Sequence, residues 1–136
     1  MFAHVDADTP EEATTLYAGE LRVVVEEAAP GAAEAEGLDD AILEAVADSD
    51  LDTVSRMHLA EAAAILALAD GREADDILAD ARDELLFAMS SAVTDVERLA
   101  ASLDTDLDPA ELQAKLEGRY PMCLREYAML RTELIE

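Results

Sequence analysis

Apolar residues recur every three or four positions along almost the whole chain, and no stretch alternates with the period of two that a half-buried strand requires. That spacing restricts the fold to helices packed on helices. Proline, glycine and short polar caps divide the pattern into segments. Thr9-Pro10-Glu11-Glu12 combines a capping side chain, a proline at the first helical position and a glutamate in the first turn. It opens a helix to about Ala28 whose inner face is Ala13, Tyr17, Leu21, Val24 and Ala28, and Pro30-Gly31 ends it. A short helical piece from Ala32 to Glu36 stops at Gly37. Asp39 caps a second piece, Asp40 to Ala47, with Ile42, Leu43 and Val46 on its apolar side. Asp48 to Arg56 reads as a polar loop. Leu59 to Leu68 reads as alanine-rich helix closed by Asp70-Gly71.

The longest periodic segment runs from about Glu73 to Leu103. From Leu85 its apolar steps are 4, 3, 4, 3, 4 through Met89, Ala92, Val96, Leu99 and Leu103, a heptad seam. Leu86, Phe87 and Val93 lie off that seam and are apolar as well, which widens the stripe and favours burial within a bundle over an exposed dimer seam. Asp104 to Leu107 is a turn. Asp108-Pro109-Ala110-Glu111 repeats the cap-and-proline logic for a helix to Glu117, which Gly118 stops. A last helix runs from about Cys123 to Ile135, with Leu124, Tyr127, Ala128, Leu130 and Leu134 as its apolar side. The expected fold is all-α: a compact multi-helix bundle around one long central helix, about 73–103, in a single domain spanning 1–136. Half of the residues are apolar but only two Phe, three Tyr and no Trp occur, so the core is aliphatic.

Charge sets the habitat. Asp and Glu number 33 against nine Lys and Arg, a net charge of −24, and only one of the nine is lysine. A disordered acidic tail is excluded because the acids are interleaved with apolar residues at helical spacing. A folded domain with this self-repulsion is stressed in dilute buffer, and molar salt, where the Debye length is about 3 Å, relieves it. The expectation is a halophilic, archaeal protein. A lone Cys123 excludes an internal disulfide and a cysteine zinc cage, and suits a cytoplasmic location. The longest apolar run, Ala62 to Ala69, is too short to span a bilayer, and no charged-then-apolar leader opens the chain, so no membrane role is expected.

Two segments carry a turn between short helices. In the first, Ala33, Gly37, Leu38, Leu43 and Val46 sit where two short helices cross closely, and the segment resembles the Cro and phage-repressor type of helix-turn-helix. Its would-be reading helix exposes Asp39, Asp40 and Glu44, which repel phosphate. The second runs through Leu99, Leu103, Leu107, Leu112 and Leu116 to Glu117-Gly118-Arg119-Tyr120-Pro121, with a glycine turn and proline like those that follow the reading helix in that family. The resemblance makes Gln113, Lys115 and Arg119 the candidate nucleic-acid contacts. The competing reading pairs Lys115 with Glu111 or other nearby acids on a solvated face. Leu38-Asp39-Asp40-Ala41 and Leu107-Asp108-Pro109-Ala110 each precede a short helix. Leu59-Ala60-Glu61-Ala62 and Leu124-Arg125-Glu126-Tyr127 each open the next, so a degenerate duplication and chance alanine matching stand side by side.

Other constellations dissolve. Asp104-x-Asp106-x-Asp108 begins like a calcium loop, but Pro109 and Lys115 stand where glycine and the bidentate glutamate belong. His4 and His58 have no ligand spacing with each other or with Cys123, and each suits a surface or cap position. Ser90-Ser91 lacks a nucleophile elbow, and the five glycines form no phosphate loop. No catalytic residue, metal, cofactor or small-molecule substrate is expected, and the protein is expected not to be an enzyme.

The opening Met1-Phe2 with Val5-Asp6-Ala7-Asp8-Thr9-Pro10-Glu11-Glu12, the stretch Glu61-Ala62-Ala63-Ala64-Ile65-Leu66-Ala67-Leu68 and the turn Glu117-Gly118-Arg119-Tyr120-Pro121-Met122 resemble a family of short acidic haloarchaeal proteins of unknown function. The resemblance spans most of the chain. It implies archaeal origin and a helical fold, and carries no activity. It also implies a threonine cap where Cys123 stands, and hence a less firmly started last helix. These readings favour a non-catalytic helical protein-interaction or regulatory module, with a protein partner or homodimer formed along Leu85, Met89, Ala92, Val96, Leu99 and Leu103. The alternative is a helix-turn-helix DNA-binding regulator adapted to high salt, which the charge disfavours.

Overall fold

A computed structural model of the chain describes residues 1–2, 7–29 and 31–135. The expectations for His4 and for Pro30 fall outside these residues. The helices are α1 (Pro10–Glu27), α2 (Ala32–Ala35), α3 (Asp40–Ala47), α4 (Leu51–Arg56), α5 (Leu59–Asp70), α6 (Ala74–Ser91), α7 (Val96–Ser102), α8 (Pro109–Leu116) and α9 (Leu124–Leu134). Among the described residues the only extended pairing is a single antiparallel bridge between His58 and Cys123.

The caps work as their chemistry requires. Thr9 Oγ1 accepts from the Glu12 amide at 3.2 Å, and Glu12 reaches back to the Asp8 amide at 3.0 Å. Asp39 Oδ1 accepts from Ala41 and Asp108 Oδ1 from Glu111, at 2.9 and 2.8 Å. Gly71, at φ +69°, ends α5 in the left-handed region that glycine adopts without steric cost. The inner face of α1 is as read: Ala13, Tyr17 and Leu21 are buried, with Val24 and Ala28 half-buried.

Two expectations are corrected. The stretch Asp48 to Arg56 is not all loop. Asp50 accepts from the Thr53 amide and hydroxyl, and α4 follows, burying Val54. Six residues with one fully buried side chain offer no periodicity to detect.

The long helix at 73–103 is two helices. Val93 turns into the left-handed region at φ +52°, and the Thr94 amide closes back on the Met89 carbonyl at 3.1 Å. Asp95 Oδ1 then accepts from the Arg98 amide at 2.9 Å and restarts the chain as α7. Val, Thr and Asp in a row are weak helix formers, and a capping aspartate before an apolar residue is a start signal that the continuous heptad concealed. The break divides the seam. Leu85, Met89, Leu99 and Leu103 are buried in the bundle, Val96 is half-buried, and Ala92 is exposed. No unbroken strip along these six residues remains for a partner helix. Leu86, Phe87 and Val93, expected to widen the buried stripe, instead face outward at 40, 75 and 80 % exposure.

Without a long central helix, the middle of the bundle belongs to α1, α5 and α9. Helix α5 packs on α1, α2, α6 and α9; α9 packs on α1, α4, α5 and α6; α7 and α8 pack on each other, and α8 on α6. The two similar helix starts meet here. The Leu59 amide donates to the Met122 carbonyl at 2.7 Å, and the Leu124 amide to the Met57 carbonyl at 2.8 Å. Each start is closed by its own glutamate: Glu61 accepts from the His58 amide at 3.0 Å and Glu126 from the Cys123 amide at 2.9 Å. Thus α9 keeps a closed first turn although a cysteine stands at its cap.

Candidate functional site

The three residues singled out for nucleic acid lie on or just after α8, and each is engaged by a carboxylate. Lys115 Nζ meets Glu126 Oε2 at 2.6 Å, with only 18 and 16 % of the two side chains exposed. The partner is therefore across the turn on α9, not Glu111 one helical turn back. Gln113 Nε2 donates to Glu117 Oε1 at 2.6 Å, and Arg119 contacts Glu117 Oε2 through Nε at 2.9 Å and through its terminal nitrogen at 2.8 Å. The hydrogen bonds from Gln113 and Arg119 hold the Glu117 carboxyl below the ordinary carboxylate range. A phosphate approaching this helix meets the negative charge of Glu117 and Glu126 together with the donors they hold.

The first helix-turn-helix-like segment is spread over several neighbours. Helix α2 packs on α5, whereas α3 packs on α1 and α4. Asp39, Asp40 and Glu44 are exposed, as their helical positions require. Asp104 and Asp106 are exposed turn residues and Asp108 is the α8 cap. Among the described residues no three His, Cys, Asp or Glu side chains are grouped to hold a metal ion. Burial pushes the Cys123 thiol above its usual range, opposite to the shift that makes a thiolate nucleophile.

The most developed polar constellation was not visible in the sequence. Arg131, on α9, is 5 % exposed and lies between Tyr17 of α1, Tyr127 of its own helix and Glu84 of α6. Its Nη1 donates to Tyr17 Oη at 3.3 Å, and Tyr127 Oη donates to Glu84 Oε1 at 3.2 Å. Arg131 Nε is also 3.2 Å from that carboxylate oxygen, an ion pair whose N–H is not aligned as a hydrogen bond. The guanidinium carbon stands 5.7 and 5.9 Å from the two tyrosine ring centres, and Phe2 stacks on Tyr17 at 4.2 Å. Burial alone would lower the Arg131 pKa, but Tyr127, Tyr17 and Glu84 outweigh it and raise the value. Burial raises that of Tyr127. Both shifts are upward, which keeps Arg131 charged and Tyr127 protonated near neutrality, and the cluster ties three helices together. Tyr127 and Arg131 at a one-turn spacing was the available local signal; Glu84 and Tyr17 had none.

One more basic residue escaped the sequence reading. Arg82 of α6 is half-buried and lies over Gly118, whose φ of +81° and missing side chain let the guanidinium approach; a Cβ there would collide with it. No carboxylate lies within ion-pair distance of Arg82 among the described residues.

No helix among the described residues is long and apolar enough to cross a membrane. No curated protein and no solved structure matches the chain. The Family of unknown function (DUF5791) matches residues 14–136, nearly the whole of the helical bundle described above, and the chain belongs to that family.

Proposed function

We propose that this protein is a non-catalytic helical interaction module of a salt-adapted archaeal cytoplasm, and that it pairs with a second copy of itself through the outer side and C-terminal end of α6. The carrying observation is Phe87: one of only two phenylalanines in the chain, it stands 75 % exposed on a helix that also exposes Asp75, Asp76, Asp80 and Asp83. Leu86 and the strained, outward Val93 add apolar surface on the same segment. A twofold axis would set this segment against its own copy and so double a small apolar surface. The like charges of Asp76 and Asp83 oppose such pairing in dilute buffer and are screened in molar salt. This reading replaces the buried Leu85–Leu103 seam with its outward neighbours.

Light scattering in molar KCl is the test. The expected mass is about twice the 14.6 kDa of the chain, falling to the monomer in Phe87→Asp with helicity unchanged. A wild-type monomer at high protein concentration would refute self-pairing. The DNA-binding alternative draws no support from Gln113, Lys115 and Arg119, all held by acids, and a mobility shift with duplex DNA in the same salt is expected to be absent.

A further inference from the structure

A cleft of about 280 Å³ opens beside the bridge between the starts of α5 and α9. Its polar lining is His58, Arg82, Lys115, Arg119 and Tyr120, with Leu78 and Pro121 among the apolar residues, and it contains no aspartate or glutamate. In a chain with 33 acids and nine bases that combination is selective. Other clefts have carboxylates in their walls: Glu11 and Asp52 in one, Asp8, Asp104 and Glu133 in a second, Asp106 and Glu126 in a third, Glu34 and Asp40 in a fourth.

The cations of this cleft are not equivalent. Lys115 and Arg119 are paired with Glu126 and Glu117, neither of which lines the cleft, yet an ammonium has three donors and a guanidinium five, so both keep N–H groups for a second acceptor. Arg82 has no acid. The other arginines without an ion pair among the described residues, Arg98 and Arg125, are exposed and solvated by water, whereas Arg82 is half-buried at the cleft wall. A guanidinium withdrawn partly from water and left without a counter-charge, in a molecule this acidic, is the arrangement expected of a group whose partner arrives from outside.

We propose that this cleft binds the phosphate group of a small molecule, with Arg82 as the principal contact, Lys115 and Arg119 as flanking donors, and Leu78, Tyr120 and Pro121 against any organic body attached to it. Guanidinium and phosphate match as forked donors and acceptors, which a molar background of spherical chloride cannot reproduce. The cleft shares α6 with the Phe87 surface but is lined by none of Leu86, Phe87 and Val93, so pairing and phosphate binding are read separately, by light scattering and by calorimetry.

The test is calorimetric titration in molar KCl with three probes: inorganic phosphate, phenyl phosphate and phenol. Saturable binding of the two phosphates and none of phenol is expected. Equal affinity for the phosphates assigns the site to free phosphate, and tighter phenyl phosphate assigns it to an organic ester. Arg82→Gln should weaken binding about tenfold or more, the effect of one lost charge-assisted contact, and Arg82→Lys should recover part of it. Gly118→Ala keeps the charge but displaces the guanidinium, and should weaken binding as well. Circular dichroism on each variant establishes that it is folded. Absence of saturation by either phosphate, or affinity that a folded Arg82→Gln leaves unchanged, overturns the proposal. So does Arg82-dependent binding of duplex DNA with no response to the small phosphates.

Discussion

Arg131 shows how much one side chain carries when it is buried among polar partners. Replacing it by leucine leaves the Glu84 carboxylate and two phenols facing a site built for a cation. Breaking a buried pair costs about 3 to 5 kcal/mol, and Glu84 retains partial exposure, so a loss of about 3 kcal/mol is expected in urea denaturation at molar KCl. A loss below about 1 kcal/mol, the value of a surface ion pair, would mean that the cluster is solvated. Glu20 offers a test with the opposite sign. Burial raises its pKa against the pull of Arg131 and the N-terminal ammonium. The folded state therefore holds this proton more readily than the unfolded chain, and the stability linked to it, present in acid, is lost as pH rises through the raised value. Glu20→Gln is expected to melt higher than wild type at neutral pH, with the difference vanishing below about pH 4, where the unfolded glutamate is protonated too. A difference that persists in acid would assign the effect to packing.

At the scale of elements, the junction between α6 and α7 is the informative place. Val93 holds a left-handed conformation that β-branched residues resist, and at 80 % exposure it buries little in return. Val93→Gly is expected to stabilise the fold by about 0.5 to 1 kcal/mol, the relieved strain less the added freedom of the unfolded chain. The measurement belongs in the Phe87→Asp background, where pairing does not contribute. Asp95→Ala should cost about 1 kcal/mol by removing the cap that restarts the chain. Helix starts with a side-chain cap were the legible part of this fold. Asp39 and Asp108 placed α3 and α8 at the residues where they begin, because a cap is a local hydrogen bond and leaves a local signature. The break at Val93 was hidden by an apolar heptad that continues in sequence after the helix has turned away. Thr94-Asp95-Val96 held the signal, outweighed by periodicity. The sites were less legible still. Arg131 finds Tyr17 across 114 residues, and Arg82 meets Gly118 only once α6 and α8 have packed; no spacing rule covers such distances.

In the whole molecule an aliphatic core lies beneath an unusually charged surface. The buried residues are overwhelmingly Ala, Leu, Val, Ile and Met, and besides Arg131 the charged side chains lie at half-buried or exposed positions among the described residues. The net charge of −24 is therefore a property of the shell, and its self-repulsion acts against every helix contact beneath it. Going from molar salt to about 0.01 M lengthens the Debye length from about 3 Å to about 30 Å, roughly the span of a small domain, so each acid then feels most of the others. A salt titration followed by far-ultraviolet circular dichroism measures this directly. Full helical signal in molar KCl that collapses on dialysis to low salt, and returns when KCl is restored, is the predicted result. An unchanged spectrum across that range would contradict the claim that screening by salt keeps this acid-coated bundle folded.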